Sequence, residues 1–310
     1  VSAGWVAAAV RARALVGRCP GPAATREIAR GPTLDDALRV LASTPYARSA
    51  RTAVDLPGAQ RAVAATVLWQ LRVLAGWLPP GGARLLVPLA AGFEIANVVS
   101  RLTAPDGDAA RAPEPYRLGA LETAWRSLER HMGTPTELRA ALVASPWGDP
   151  GGDTPWALVT GMRMAAARRT DVAVPDARRW ARARAVLLLA RERFVHGRSL
   201  PEPVRRDAAR LLGSRAPDAA SYEEFRDCLA SSARWVLAEV GEPGGLWRAE
   251  ARWWRRVGAE GEALLRQGRD GPGVVVGAVA VLSVDAWRVR AALASAARGD
   301  RAREAFDALV

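Results

Sequence analysis

Asp35 and Asp36 stand side by side two residues after Thr33, and an aspartate pair is one way for an all-helical enzyme to hold Mg²⁺ and a diphosphate. Ala37-Leu38-Arg39 follow without a further carboxylate, so the pair is read instead as negative charge in the first turn of a helix, where the helix dipole favours it. Gly271-Pro272-Gly273-Val274-Val275-Val276-Gly277 has the glycines of a phosphate-cradling loop, but the Lys and the Ser or Thr that complete such a loop do not follow. His131 and His196 are the only histidines, too few for a His-based metal cage or relay. Cys19 and Cys228 lie far apart and neither belongs to a CxxC pair, which fits two ordinary thiols in a reducing compartment better than a disulfide or a metal site. No nucleophile elbow and no HExxH occurs. The residues therefore name no catalytic set, no cofactor and no metal.

The elements around these residues carry more information. A short capping pattern followed by a longer apolar helical stretch recurs three times. It reads Thr33-Leu34-Asp35-Asp36 through Leu41-Ala42-Ser43-Thr44-Pro45-Tyr46, then Thr136-Glu137-Leu138 through Leu142-Val143-Ala144-Ser145-Pro146-Trp147. Ser221-Tyr222-Glu223-Glu224 through Leu229-Ala230-Ser231-Ser232 lacks the Pro-aromatic end. Repetition at this period points to three related helical units, spanning residues 1–110, 111–204 and 205–310, and chains built of such units are more often scaffolds than catalysts.

Helical periodicity runs from end to end, so the fold class is all-α. Residues 58–77 are Ala-rich and apolar at three- and four-residue spacing, closed by Pro79-Pro80-Gly81-Gly82. In the next helix Leu86, Leu89, Ala90, Phe93 and Asn97 share a face, while Glu94 and Arg101 point elsewhere. Asn97, the one polar residue on that stripe, must be hydrogen-bonded if buried. Residues 106–115 and 148–153 read as linkers. Residues 177–194 hold the apolar run Ala185 to Ala190, and Val274-Val275-Val276 reads as part of a buried helix. The helix after Glu242-Pro243-Gly244-Gly245 is amphipathic, with Leu246, Trp247, Trp253, Trp254, Val257, Leu264 and Leu265 on one face. On that face Gly258 and Gly261 leave room for a close helix neighbour.

All 44 basic residues are Arg, against 32 acidic ones, for a net charge of +12. The arginines are spread along helices beside Asp and Glu without a dense run, so solvated or ion-paired faces explain most of them. No stretch reaches the roughly 18 uninterrupted apolar residues of a membrane span. The apolar start at Val1 to Val10 is followed, not preceded, by its arginines, the reverse of a signal peptide's order. A cytoplasmic protein is expected.

In order along the chain, Val10-Arg11-Ala12-Arg13, Leu41-Ala42-Ser43-Thr44-Pro45-Tyr46, Glu94-Ile95-Ala96-Asn97 and Asp285-Ala286-Trp287-Arg288-Val289-Arg290 resemble the central-stalk subunit of V-type and archaeal-type ATPases, called C in prokaryotes and d in eukaryotes. Glu94 stands where that family usually has Asp, and the middle unit departs most, with Trp180-Ala181-Arg182-Ala183-Arg184 in place of a second acidic-x-x-Asn pattern. A Gly299 and a final short helix over 301–309 complete the likeness.

The resemblance implies a funnel of three pseudo-repeated helical units, a non-catalytic socket that seats a rotor shaft (D/F type) on a membrane proteolipid ring. It implies a cytoplasmic-face location through the ATPase complex, and no nucleic-acid partner. Arg11, Arg13, Asn97, Arg101, Arg288 and Arg290 are the partner-interface residues it suggests. Two other classes remain open. One is an Arg-rich helical nucleic-acid-binding protein, recognised by arginines on one surface and steep salt dependence. The other is a helical enzyme whose carboxylates converge in an apolar pocket.

Overall fold

Helix starts in this chain are fixed by side chains that accept from the first orphan N–H groups. In the computed structural model, which describes residues 3–47, 53–104, 113–267, 270–298 and 306, Thr33, Asp55, Thr134, Thr154 and Ser221 all act in this way. Proline in the first turn, where its missing N–H is no loss, follows Asp55, Thr134 and Thr154. The resulting helices are α1 (Ala3–Val16), α2 (Gly21–Arg30), α3 (Leu34–Leu41), α4 (Leu56–Trp77), α5 (Leu86–Leu102), α6 (Trp125–Glu129), α7 (Pro135–Val143) and α8 (Pro155–Ala173). They continue with α9 (Arg178–Ala190), α10 (Glu202–Leu212), α11 (Tyr222–Cys228), α12 (Ser231–Arg234), α13 (Leu246–Arg266) and α14 (Pro272–Arg298). The described residues contain no strand. The expected linker over 106–115 lies outside the described residues up to 112, as do Gly299 and the final helix apart from the buried Phe306.

The chain divides into two compact units. Val1–Gly82 joins Trp254–Val310 in one, and Ala83–Trp253 forms the other. These units follow packing, whereas the sequence division at 110 and 204 follows the repeat.

In the first unit α14 is the central helix, packed by α1, α2, α3 and α4. Val274, Val275 and Val276 are fully helical and buried, as the flanking periodicity predicts. The end of α13 crosses α14 at a glycine contact: a Cβ on Gly277 would lie 2.6 Å from the Gly261 carbonyl oxygen, and one on Gly261 would lie 2.7 Å from Ala280 Cβ. The glycines of the supposed phosphate loop thus serve a helix start and a helix crossing.

In the second unit α8 packs against α5, α9 and α10. A hydrophobic core runs from Met164 and Val186 through Phe225 to Val236 and Leu246. Residues 148–153 are no loose linker, because Pro150 sits on α8 where only a glycine fits, 2.5 Å from the place a Cβ on Gly161 would occupy. After Ala190 the helix widens into a π-turn over Arg191–Val195.

By length and composition alone, Gly82–Leu102 and Pro272–Arg298 are apolar enough to cross a membrane, although Glu94 and Asp285 interrupt their apolar runs. The second is 67% buried across its most apolar window and serves as the core helix of its unit.

Two further readings are corrected. The cap of α7 is Thr134, not Thr136. The Thr134 and Glu137 side chains satisfy each other's backbone N–H groups in a capping box, while the Thr136 hydroxyl donates to Asp153 Oδ2 at 3.0 Å. On α13, Trp247 is not core but 47% exposed, whereas Trp253 is partly buried and donates to the Trp180 carbonyl at 2.9 Å.

Candidate functional site

Two loops of one construction end on two buried carboxylates. In the first unit Thr33 caps α3, and Thr44 Oγ1 donates to the Leu41 carbonyl at 2.7 Å while accepting from the Tyr46 N–H at 3.3 Å. In the second unit Thr134 caps α7, and Ser145 Oγ donates to the Leu142 carbonyl at 2.8 Å while accepting from the Trp147 N–H at 3.1 Å. The spacing from cap to aromatic is the same in both. Each hydroxyl, followed by Pro45 or Pro146, turns the chain so that the aromatic ring points inward, and Tyr46 and Trp147 are both buried.

Tyr46 Oη donates to Asp285 Oδ2 at 2.7 Å, and the N–H of Gly21 donates to Asp285 Oδ1 at 3.0 Å. Gly21 has φ of 73°, a left-handed conformation that glycine adopts without strain. Burial raises the Asp285 pKa, opposed by the Tyr46 and Gly21 hydrogen bonds and by Arg288. Burial and then the Asp285 charge raise Tyr46, and push the neighbouring Cys19 thiol up to about 12.

Glu94 on α5 is the counterpart in the second unit. Its Oε1 accepts from Trp147 Nε1 at 2.7 Å and from the Ala124 N–H at 3.0 Å, and its Oε2 accepts from the Thr123 N–H at 2.6 Å. The expectation that Glu94 points away from the core is therefore corrected: it is 1% exposed, because a docked loop supplies the donors that make its burial tolerable. Arg169 closes the arrangement, donating to Thr123 Oγ1 at 2.7 Å with its guanidinium 5.3 Å from the Trp147 ring centroid. Burial raises the Glu94 pKa against the pull of these donors.

One turn further along α5, Asn97 is buried and bonded on both sides of its amide. Its Nδ2 donates to the Tyr116 carbonyl at 3.0 Å, and its Oδ1 accepts from the Tyr116 N–H at 2.7 Å. Asn97 is hydrogen-bonded as its burial requires, and it pins Tyr116, which lies beyond the first unit of the sequence division, to the helix that carries Glu94. A third buried carboxylate, Glu192, lies in the π-turn. Its Oε2 accepts from Trp156 Nε1 at 2.6 Å and from Arg198 Nη1 at 3.1 Å.

Each carboxylate oxygen of Asp285 and Glu94 accepts at least one hydrogen bond from a distant segment, so these groups clamp the chain. No group of three His, Cys, Asp or Glu suited to a metal ion occurs among the described residues. His131 and His196 are exposed, and neither is hydrogen-bonded to Asp285 or Glu94. Asp36 accepts from the Thr33 hydroxyl at 2.6 Å and pairs with Arg39; the Thr33 bond, more than the arginine, lowers its pKa. This is the capping role read for the Asp35-Asp36 pair.

The arginines singled out from the sequence fall in two sets. Arg11, Arg13, Arg288 and Arg290 belong to the first unit, and Arg101 belongs with Asn97 to the second. Arg13 pairs with Asp270 at 2.7 Å, Arg288 is partly buried, and Arg290 is exposed, with its carbonyl accepting from Gln60 Nε2 at 3.4 Å. The pairing of each loop aromatic with a distant acid escapes sequence reading. Its signal is the equal spacing of Thr33, Thr44 and Tyr46 against Thr134, Ser145 and Trp147. No protein-family model matches the sequence, and no curated protein matches it.

Proposed function

We propose that this chain is the central-stalk subunit of a V/A-type ATPase, a non-catalytic socket that couples a rotor shaft to a membrane proteolipid ring for ion or proton transport. The observation that carries the reading is that two of the four segments behind the resemblance bond to each other. Tyr46, from the Leu41-to-Tyr46 segment, donates to Asp285, from the Asp285-to-Arg290 segment. Glu94, from the third segment, accepts from Trp147 of the equivalent loop in the second unit, and Asn97, from the same segment, bonds the backbone of Tyr116. Residues at such positions are those a fold family must keep, because removing either partner leaves a buried polar group unsatisfied.

Under this reading the three helical units form a funnel and the protein works at the cytoplasmic face of the membrane through its partners. Arg11, Arg13, Arg288 and Arg290 supply positive charge toward them. Charge contacts of this kind steer docking and weaken as salt screens them. The test is a binding titration with a purified coiled-coil shaft subunit pair of an archaeal-type ATPase, followed by calorimetry at two salt concentrations. Saturable binding that weakens with salt supports the socket. Binding to duplex DNA in preference to the shaft would favour the nucleic-acid reading.

A further inference from the structure

The second unit carries a concentrated set of arginines that neither clamp uses. Arg184 on α9 and Arg191 in the π-turn share one carboxylate, Glu250 on α13, at 3.3 and 2.9 Å. Arg163 stands on α8, which packs against α9 and whose Trp156 donates to Glu192 in the π-turn at 2.6 Å, and it lies within electrostatic reach of both arginines. It is exposed and has no ion-pair partner among the described residues. Arg198 pairs with the buried Glu192. Four guanidinium groups thus face two carboxylates, leaving an excess of two positive charges in one place.

The patch has an apolar margin. Val195, one turn beyond Arg191, is 51% exposed, and Trp247, one turn before Glu250, is 47% exposed. The π-turn packs against residues 243–245, the turn leading into Trp247, so the two exposed side chains stand on neighbouring elements. The Arg248 guanidinium lies 4.8 Å from the Trp247 ring centroid. Exposed Trp and Arg beside one another are the residue types enriched at the centres of protein interfaces.

We infer that Arg163, Arg184 and Arg191, with Trp247 and Val195, form a docking surface for an acidic amphipathic helix of a partner protein. Glu250 already shows the mode of recognition, since a glutamate on a helix is held between two arginines that stand on another helical segment. Glutamates on an incoming helix would pair the guanidiniums left in excess, Arg163 first, while an apolar residue between them covers Trp247 and Val195. Glu250, partly exposed between Arg184 and Arg191, argues against a nucleic-acid backbone or an anionic lipid surface, whose continuous negative charge would meet that carboxylate as well. This surface lies outside the six residues suggested by the stalk-subunit resemblance and stands independently of that reading.

The experiment uses the full chain and a fluorescein-labelled helical peptide of about 18 residues, long enough to hold a helix, with glutamates at i and i+4 beside a leucine stripe. Binding is followed by fluorescence anisotropy at low salt, with a single-stranded oligonucleotide and phosphatidylserine vesicles as competing probes. Arg163→Glu reverses the unpaired charge without breaking an ion pair, and Arg30→Glu, an exposed arginine of the first unit, makes the same change in net charge elsewhere; unchanged melting temperatures verify that both fold. Saturable peptide binding, weakened at least tenfold by R163E and less than twofold by R30E, is expected. No peptide binding, equal losses in the two variants, or preferential R163E-sensitive binding of the oligonucleotide or the vesicles would overturn the inference.

Discussion

Tyr46 and Asp285, 239 residues apart in sequence, meet in a buried hydrogen bond of 2.7 Å that ties a loop near the start of the chain to its longest core helix. Tyr46→Phe removes the donor and leaves the ring in place. A hydrogen bond to a charged acceptor is worth about 1.5–3 kcal/mol, so thermal unfolding should show a loss of that order. An unchanged melting temperature would show that the bond contributes nothing net.

The equivalent clamp at Glu94 holds three donors. Glu94→Leu strands two backbone N–H groups and the Trp147 indole N–H in the interior, at a cost of at least about 3 kcal/mol. Trp147→Phe removes one donor and should cost less than Glu94→Leu. Chemical denaturation of both variants checks the order, and the reverse order would contradict the account.

The raised pKa of Asp285 fixes the sign of a pH effect. Because the folded value lies above the unfolded one, the stabilisation is fully present below the ordinary carboxylate range, near pH 4, and is lost as pH rises through the folded value. Asp285→Asn cannot ionise, and its amide can still accept from Gly21 while donating to Tyr46. The melting temperature of D285N relative to the parent should therefore climb as pH is raised from 4 toward 8. A flat difference would show that Asp285 is not destabilised by ionisation.

Gly261 and Gly277 allow α13 and α14 to touch backbone to backbone. Gly277→Ala would place its Cβ 2.6 Å from the Gly261 carbonyl oxygen, which a helix cannot yield without shifting. Overpacking of this kind costs about 1–3 kcal/mol, measurable as a lowered denaturation midpoint.

Much of the local structure is legible in the sequence because it depends on neighbouring residues. Thr33 caps α3 over Asp35-Asp36, and Val274 to Val276 stay helical because the periodicity on both sides is helical. Thr136-Glu137 looks like a cap yet lies inside the helix, since Pro135 after Thr134 is the better first-turn residue. Glu94 misleads for a non-local reason: a glutamate on a helix is exposed by default, and only the loop carrying Thr123, Ala124 and Trp147 reverses that. Asn97 gives itself away because an amide on an apolar stripe must find partners, although nothing nearby in sequence names Tyr116 as the partner. The arginine patch around Arg163 is equally non-local, assembled from three helical segments whose spacings carry no shared period.

The central claim is the assignment to a rotary ATPase stalk, and the most direct measurement is a pull-down of the tagged protein from detergent-solubilised membranes of its source, read by mass spectrometry at several salt concentrations. The account predicts recovery of shaft and proteolipid subunits, weakening as ionic strength rises. Recovery of nucleic acid or a metabolic enzyme, with no ATPase stalk or proteolipid subunit at any salt concentration, would contradict it.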